Sequence, residues 1–174
     1  MHRRFIHLPG KMRGELRGRH APLSFKYALW GFLSGTGSIL AILAVTRMAG
    51  SPLLIGSFGA SAVLLFGAAE SPLAQPRSLI GGHLVSAAVA VAVVSMGGTG
   101  AYAVAMAVGI AIFLMCLTRT VHPPGGATAL IGVQCHAGPL FLFLPVLSGA
   151  LILLAVALFT NNIVYHRQYP KHWL

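Results

Sequence analysis

From Lys26 to Arg167 charged residues are so sparse that the stretches between them set what the chain can become. Lys26 to Arg47 encloses 20 uncharged residues and Arg47 to Glu70 encloses 22. Arg77 to Arg119 encloses 41, and Arg119 to Arg167 encloses 47. A helix rising 1.5 Å per residue needs about 20 apolar residues to cross a hydrocarbon layer ~30 Å thick. The intervals are therefore one or two membrane spans long. A single soluble core cannot hide the 56% of 174 residues that are hydrophobic. Charged residues make up only 8%, against roughly 25% in soluble domains. Lipid is the solvent this composition fits. In lipid only helices and closed barrels satisfy the backbone, and the two-residue alternation of barrel strands is absent. The fold class is an all-α polytopic membrane protein.

Proline and glycine cut the long intervals further. Pro52 and Gly56-Ser57-Phe58-Gly59 interrupt the second, and Gly97-Gly98-Thr99-Gly100 turns the third back on itself. His122-Pro123-Pro124-Gly125-Gly126 and Gly138-Pro139 divide the fourth into a short segment and a span over about 139–160. Four full-length helices are expected, with short broken segments near 52–68 and 123–137. The domain plan is a basic tail over 1–26, one transmembrane domain over 27–164 and a short basic tail over 165–174.

The net charge of +10 is concentrated near the ends. Arg3, Arg4, Lys11, Arg13, Arg17, Arg19 and Lys26 carry no aromatic interleaving, which argues against nucleic acid. An Arg-rich, acid-poor start also has the make-up of a transit peptide. The preferred reading is a cytoplasmic tail obeying the positive-inside rule, with both termini on the cytoplasmic side of the cell (inner) membrane. No apolar stretch precedes Tyr27, so a cleaved signal peptide is not expected. Cys116 and Cys135 lie in apolar surroundings outside any CxxC pattern, as membrane-packing residues do. No metal site and no cofactor is expected.

Shifted by 67 positions, the chain matches itself. Gly59, Ala60 and Ala62 fall on Gly126, Ala127 and Ala129, and Ser61 falls on Thr128. Pro72-Leu73 falls on Pro139-Leu140, Gly82 on Gly149, and Ala88-Val89-Ala90 on Ala155-Val156-Ala157. Over 59–90 there are 10 identities in 32 positions, against roughly one in ten for so biased a composition. Thr46-Arg47 matches Thr118-Arg119 at a slightly larger offset. Each half reads as helix, Thr-Arg, short broken segment, Pro-Leu, long helix, with repeat 1 about 27–97 and repeat 2 about 100–162. Three crossings per half give an inverted 3+3 repeat. The alternative is four transmembrane helices plus two re-entrant half-helices. Charge counting favours the first, which leaves only Arg47 outside. Inverted repeats with short, Gly/Pro-broken helices are a transporter signature.

Two short elements carry the chemistry. Pro123-Pro124 suits a helix entrance, and Gly125-Gly126 is expected to bare backbone N–H groups at a positive dipole end that favours an anion. Ser57, Gly59 and Ser61 form the counterpart in the first half, and Thr128 repeats Ser61. The competing reading is that small residues simply let helices pack closely. Arg47 and Arg119 precede the two elements, either to attract an anion or to reach the headgroups. Glu70 is the one acid after Glu15, and Arg77 is its expected partner, as a structural pair or a gating group. His83 inside a span and His122 at the short helix are potential proton carriers. Asn161-Asn162 closes the last span. No nucleophile with a base and orienting acid is present, nor a Walker-type phosphate loop, so no enzyme activity is expected.

These motifs resemble a known family. His122-Pro123-Pro124-Gly125-Gly126-Ala127-Thr128-Ala129-Leu130 is similar to the hallmark of the HPP family of integral membrane proteins. Ile55 to Ala62, Glu70 to Arg77, Asn161-Asn162 and Arg167 to Trp173 also resemble that family, so the likeness runs over about residues 24–174. It implies a small helical, transporter-like protein usually described with four transmembrane helices, nitrite transport in relatives of cyanobacterial and chloroplast type, and C-terminal CBS domains in many bacterial members. The expected function is a membrane transporter for a small anion, nitrite by this resemblance. The substrate would sit among Ser57, Gly59, Ser61, His122, Gly125, Gly126 and Thr128. Glu70, Arg77, His83, Arg47 and Arg119 are the expected gating or coupling residues. A passive anion channel and a non-transporting scaffold or accessory subunit are the rivals. The expected partners are the lipid bilayer, a small inorganic anion and, through Gly31-xxx-Gly35, a second copy of the chain.

Overall fold

The computed structural model describes residues 24–48, 56–163 and 168–174. The N-terminal basic tail before Ser24, Pro52 and Arg167 lie outside the described residues. Among the described residues six α-helices follow one another: α1 (Phe25–Met48), α2 (Gly56–Gly67), α3 (Pro76–Ser95), α4 (Gly100–Thr118), α5 (Pro123–Gln134) and α6 (Ser148–Ile163). A 3₁₀ turn over Pro72–Ala74 precedes α3, and another over Pro139–Leu142 leads through a π-turn, Phe143–Leu147, into α6.

Among the described residues four segments are long and apolar enough to cross a membrane: α1, α3, α4 and the run Pro139–Ile163. The helices α2 and α5 have 12 residues each, about 18 Å of helix, and fall short of a ~30 Å layer. The last span is not the continuous helix expected over 139–160. Leu144 sits at φ −126, ψ 112, because the ring of Pro145 disfavours the α conformation in the residue before it. The expected turn between α3 and α4 is present, with Gly97 at φ +80 and Gly100 at φ +76.

Side-chain size decides which faces meet. Ser34, Ser38, Ile42 and Thr46 form the buried stripe of α1, one residue per turn, while Phe32, Leu33 and Leu40 face outward. Helix α4 buries Ala107, Ala111 and Met115 and exposes Ile112, Phe113 and Leu117. Outward apolar rings and branches of this extent suit a lipid surround. The closest approaches run along glycines. A Cβ on Gly132 would lie 2.5 Å from Ala90 Cβ, and one on Gly82 would lie 2.5 Å from His122 Cβ. One on Gly149 would lie 2.2 Å from the Phe58 ring.

The packing follows the sequence repeat. Helix α1 packs on α2 and α6, and α4 packs on α5 and α3, so exchanging the two halves reproduces the pairing. Gly82 of the first half receives the entrance of α5, and its match Gly149 receives α2. Thr46 and Thr118 both turn their hydroxyls back to the carbonyls four residues earlier, Ile42 and Leu114, each at 2.8 Å.

Hydrogen bonds between helix ends give the directions. The Tyr27 hydroxyl donates to the Gly67 carbonyl at 3.0 Å, and Trp30 Nε1 donates to the Thr160 carbonyl at 2.9 Å. The start of α1 therefore lies beside the ends of α2 and α6. Asn161 Nδ2 donates to the Leu65 carbonyl at 3.0 Å, and Arg77 donates to the Thr118 carbonyl at 2.9 Å, so the start of α3 meets the end of α4. The C-terminal tail closes the same end. The Tyr169 hydroxyl donates to the Ala74 carbonyl at 2.8 Å, and the Lys171 N–H donates to Gln75 Oε1 at 2.8 Å.

Candidate functional site

At the centre of the bundle, five polar side chains are fully buried: Ser57 and Ser61 from α2, His83 from α3, His122 at the cap of α5 and Thr128 from within it. Helix α2 offers Ser57 and Ser61 one turn apart, on the face that also buries Phe58, Ala62 and Leu65. Helix α5 enters through Pro123 at its first position, which places His122 in extended backbone (φ −137, ψ 103) with its ring inward.

The contacts form one line. His122 Nδ1 lies 2.8 Å from the Leu73 carbonyl, which can only accept, so Nδ1 carries the hydrogen. His122 Nε2 and His83 Nε2 each lie 2.8 Å from Ser61 Oγ. His83 Nδ1 lies 2.8 Å from Thr128 Oγ1, which donates to Ser57 Oγ at 2.9 Å. The imidazoles meet edge to face at 4.9 Å between ring centres, and Phe58 packs edge-on to His83 at 5.5 Å. Ser61 also has the Ser57 carbonyl at 3.1 Å, and Thr128 has the Pro124 carbonyl at 3.4 Å. These are repeat-equivalent bonds back to position i−4.

The sequence-predicted residues divide accordingly. Ser57, Ser61, Thr128, His122 and His83 converge. The expected meeting of Gly59 with Gly126 is corrected: Gly59 is exposed with open space beside it, and Gly126 has only Val108 near, at 4.0 Å. Hydroxyls and imidazoles, rather than glycine backbones, meet at the centre, because Ser57 and Ser61 lie on the inward stripe of α2 and Gly59 does not. The expected free donor on Gly125 is also corrected. Its N–H donates to the His122 carbonyl at 2.8 Å, and its Cβ position is filled by Ser86, Gly82 and Met115.

The charged residues stand apart from this cluster. Glu70 does not pair with Arg77. Its carboxylate lies 3.2 Å from Lys171 Nζ, because the tail lies over the 70–75 turn, whereas Arg77 reaches across to Thr118. Arg47 is exposed in the last turn of α1. Arg119 is exposed and caps α4 in left-handed backbone at φ 56.

Sequence reasoning passed over the Leu73 carbonyl, Gln75 and Tyr169. Gln75 is buried and donates to the Ala69 and Ser71 carbonyls at 3.0 and 2.9 Å. Tyr169 is buried in the tail, and burial pushes its phenol above the ordinary value. Both sit inside motifs already noted, Glu70 to Arg77 and Arg167 to Trp173, where charged and polar neighbours hide them from a reading by polarity.

The six helices of the described residues, four of their segments membrane-length, and a polar centre built on His122-Pro123-Pro124 define an integral membrane protein. The transmembrane region of the HPP family matches residues 20–170, and the chain belongs to that family. It is 49% identical over 128 residues to a transmembrane protein of Dictyostelium discoideum, covering 69% of this chain and 45% of the relative. To a second transmembrane protein of the same organism it is 46% identical over 156 residues, covering 83% of this chain and 50% of the relative. The chain thus spans about half the length of these relatives. No solved structure matches it.

Proposed function

We propose that this protein is a membrane transporter for a small monovalent anion, nitrite by the family resemblance. The observation that carries the reading is the junction of α2 and α5. These are the repeat-related short helices, and their hydroxyls take hold of the two nitrogens of one buried histidine, His83, from opposite sides.

The halves are inverted with respect to each other. Ser57 pairs with Thr128 and Ser61 with His122, so contacts advance along α2 as they retreat along α5. With the helix-end contacts above, each element runs opposite to the one before it. This supports six alternating segments, the short pair ending within the membrane against the long ones. Lys26, Arg77, Arg119 and Lys171 then share one face with both termini, and Arg47 lies on the other, the distribution of a cytoplasmic-termini protein in the inner membrane.

The anion is held by the hydroxyls of Ser57, Ser61 and Thr128 and the ring of His122. In lipid, buried polar groups that serve packing alone are hard to justify, because an all-apolar centre of equal volume packs as well. The donors are closed on one another, which supports a carrier that parts α2 from α5 to admit substrate over an open channel. The expected use of Gly31 and Gly35 to join a second copy is corrected: a Cβ on Gly31 would meet the Phe66 carbonyl at 3.6 Å and one on Gly35 the Phe66 ring at 3.9 Å, so the pair packs α1 on α2 of the same chain.

The test is nitrite uptake into proteoliposomes. Saturable uptake that falls at least tenfold in Thr128→Val and His122→Ala is expected. Uptake equal to that of empty liposomes overturns the reading in favour of a scaffold. Currents that do not saturate assign a channel.

A further inference from the structure

The central line runs Leu73 carbonyl, His122, Ser61, His83, Thr128, Ser57, with successive contacts of 2.8, 2.8, 2.8, 2.8 and 2.9 Å. The Leu73 carbonyl fixes a hydrogen on His122 Nδ1, and each hydroxyl owns one hydrogen that can rotate. With both rings neutral one pattern satisfies every ring nitrogen; an added proton can rest on His83 or, in a second pattern, on His122. With both imidazoles neutral, Ser57 donates to Thr128, Thr128 to His83 Nδ1, His83 Nε2–H to Ser61, and Ser61 to His122 Nε2. In the other pattern every bond except the one to Leu73 is reversed. His122 Nε2–H donates to Ser61, Ser61 to His83 Nε2, His83 Nδ1–H to Thr128, and Thr128 to Ser57. The second pattern contains one more hydrogen than the first, which makes His122 an imidazolium.

We propose that this line is a relay that binds one proton per transport cycle, so that the transported monovalent anion enters the centre together with a proton. The proposal rests on the anion-carrier reading and names its coupling. The proton arrives at Ser57 Oγ. The hydrogen of Ser57 passes to Thr128, that of Thr128 to His83 Nδ1, that on His83 Nε2 to Ser61, and that of Ser61 to His122 Nε2. At each step one O–H or N–H bond forms as the next one breaks, and the positive charge ends on His122. It leaves by the same line in reverse: His122 Nε2–H passes to Ser61, the Ser61 hydrogen to His83 Nε2, His83 Nδ1–H to Thr128 and the Thr128 hydrogen to Ser57, which releases one, so that the first pattern returns with the hydrogen on His122 Nδ1 still held by Leu73.

The surroundings set the stoichiometry. No titratable residue lies on α2 or α6. On α3, Arg77 is exposed and turned to Thr118. Lys26, Tyr27 and Arg47 of α1, Tyr102 and Cys116 of α4, Arg119 at its cap and Cys135 after α5 are exposed. Glu70 pairs with Lys171 outside the bundle, and the Tyr169 hydroxyl is held by Ala74. A lone anion in such a centre meets no fixed countercharge, and an uncompensated charge in a low-dielectric interior is unfavourable. One monovalent anion with one relay proton leaves the centre neutral.

The experiment uses the intact chain in lipid nanodiscs with sodium nitrite as probe and sodium nitrate in parallel. Titration calorimetry in buffers of differing ionisation enthalpy counts the protons taken up per anion, and one is expected. Nitrogen-15 histidine spectra give the ring states. On anion binding His122 should become doubly protonated, and His83 should change from the Nε2–H to the Nδ1–H tautomer. Binding with no proton uptake, or with His83 keeping its tautomer, overturns the relay and leaves the carrier standing. Absence of binding for both anions overturns the carrier reading and the relay with it.

Discussion

Ser61 and Thr128, 67 positions apart in the chain, hold the two ring nitrogens of His83, each at 2.8 Å. An internal repeat thus becomes a chemical feature. The same position in each half supplies a hydroxyl, and the two hydroxyls take opposite edges of one ring that has no histidine counterpart, since Ala150 stands at its matching site. His122 adds asymmetry on one side only, by reaching Ser61 from the cap of α5.

Thr128 should therefore be sensitive to loss of its hydroxyl and tolerant of change in its methyl. Thr128→Val keeps the shape but leaves His83 Nδ1 and Ser57 without their partner. An unsatisfied buried group costs about 1–3 kcal/mol. We expect a fall of that size in unfolding free energy in detergent, with Thr128→Ser recovering most of it. Equal stability of the Val and Ser variants would show that the hydroxyl carries nothing.

The glycines give a graded prediction. Gly149→Ala places a methyl 2.2 Å from the ring of Phe58, which is wholly buried and has no room to withdraw. Gly82→Ala meets the Thr120 carbonyl at 2.8 Å and His122 Cβ at 2.5 Å. Overpacking of this kind costs about 1–3 kcal/mol. Gly59→Ala meets nothing within 4 Å, and replacing a helical glycine gains roughly 0.5–1 kcal/mol. Thermal unfolding should place Gly59→Ala above wild type and the other two below it.

Much of this architecture was legible because charge spacing and proline-glycine punctuation report directly on spans and breaks. The four long segments, the two short ones and the Gly97–Gly100 turn follow from them. The convergence of Ser57, Ser61 and Thr128 was legible through the repeat. The direction in which α2 presents its residues was not, since Gly59 and Ser61 are two positions apart and a helix puts such neighbours on different faces. The Glu70 partner was misread because Arg77 is near in sequence, whereas Lys171 is brought in by tail packing that local spacing does not encode. The break at Leu144 was visible in Pro145 and was overridden by the length of the apolar run.

The tail offers a test of which contact holds it. Glu70 and Lys171 are 78% and 38% exposed, and exposed pairs contribute about 0–1 kcal/mol. The Tyr169 hydroxyl is buried on the Ala74 carbonyl, and losing it leaves that acceptor unpaired at a cost of about 1–3 kcal/mol. Tyr169→Phe should lower the midpoint of thermal unfolding more than Lys171→Ala does. Burial raises the Tyr169 pKa, so its contribution is full below the ordinary tyrosine value and declines as pH rises above it. Wild type and Tyr169→Phe should therefore converge in alkaline solution.

Topology is the prediction on which the inverted arrangement depends. The start of α1 lies with the ends of α2 and α6, and the start of α3 lies with the end of α4. The turn at Gly98 is one helix length away from all of these, at the far ends of α3 and α4. Cys116 and Cys135 are exposed, so both are first replaced by alanine. In that background Gly98→Cys should react with a membrane-impermeant maleimide from the side opposite the termini. Cysteines placed at Arg77 and Arg119 should react from the same side as one placed at Lys171. If Gly98→Cys reacts from the side of the termini, α2 returns to the face it entered from and the halves are parallel. The antiparallel pairing of Ser57 with Thr128 and Ser61 with His122 would then have to arise from two re-entrant helices crossing at the centre.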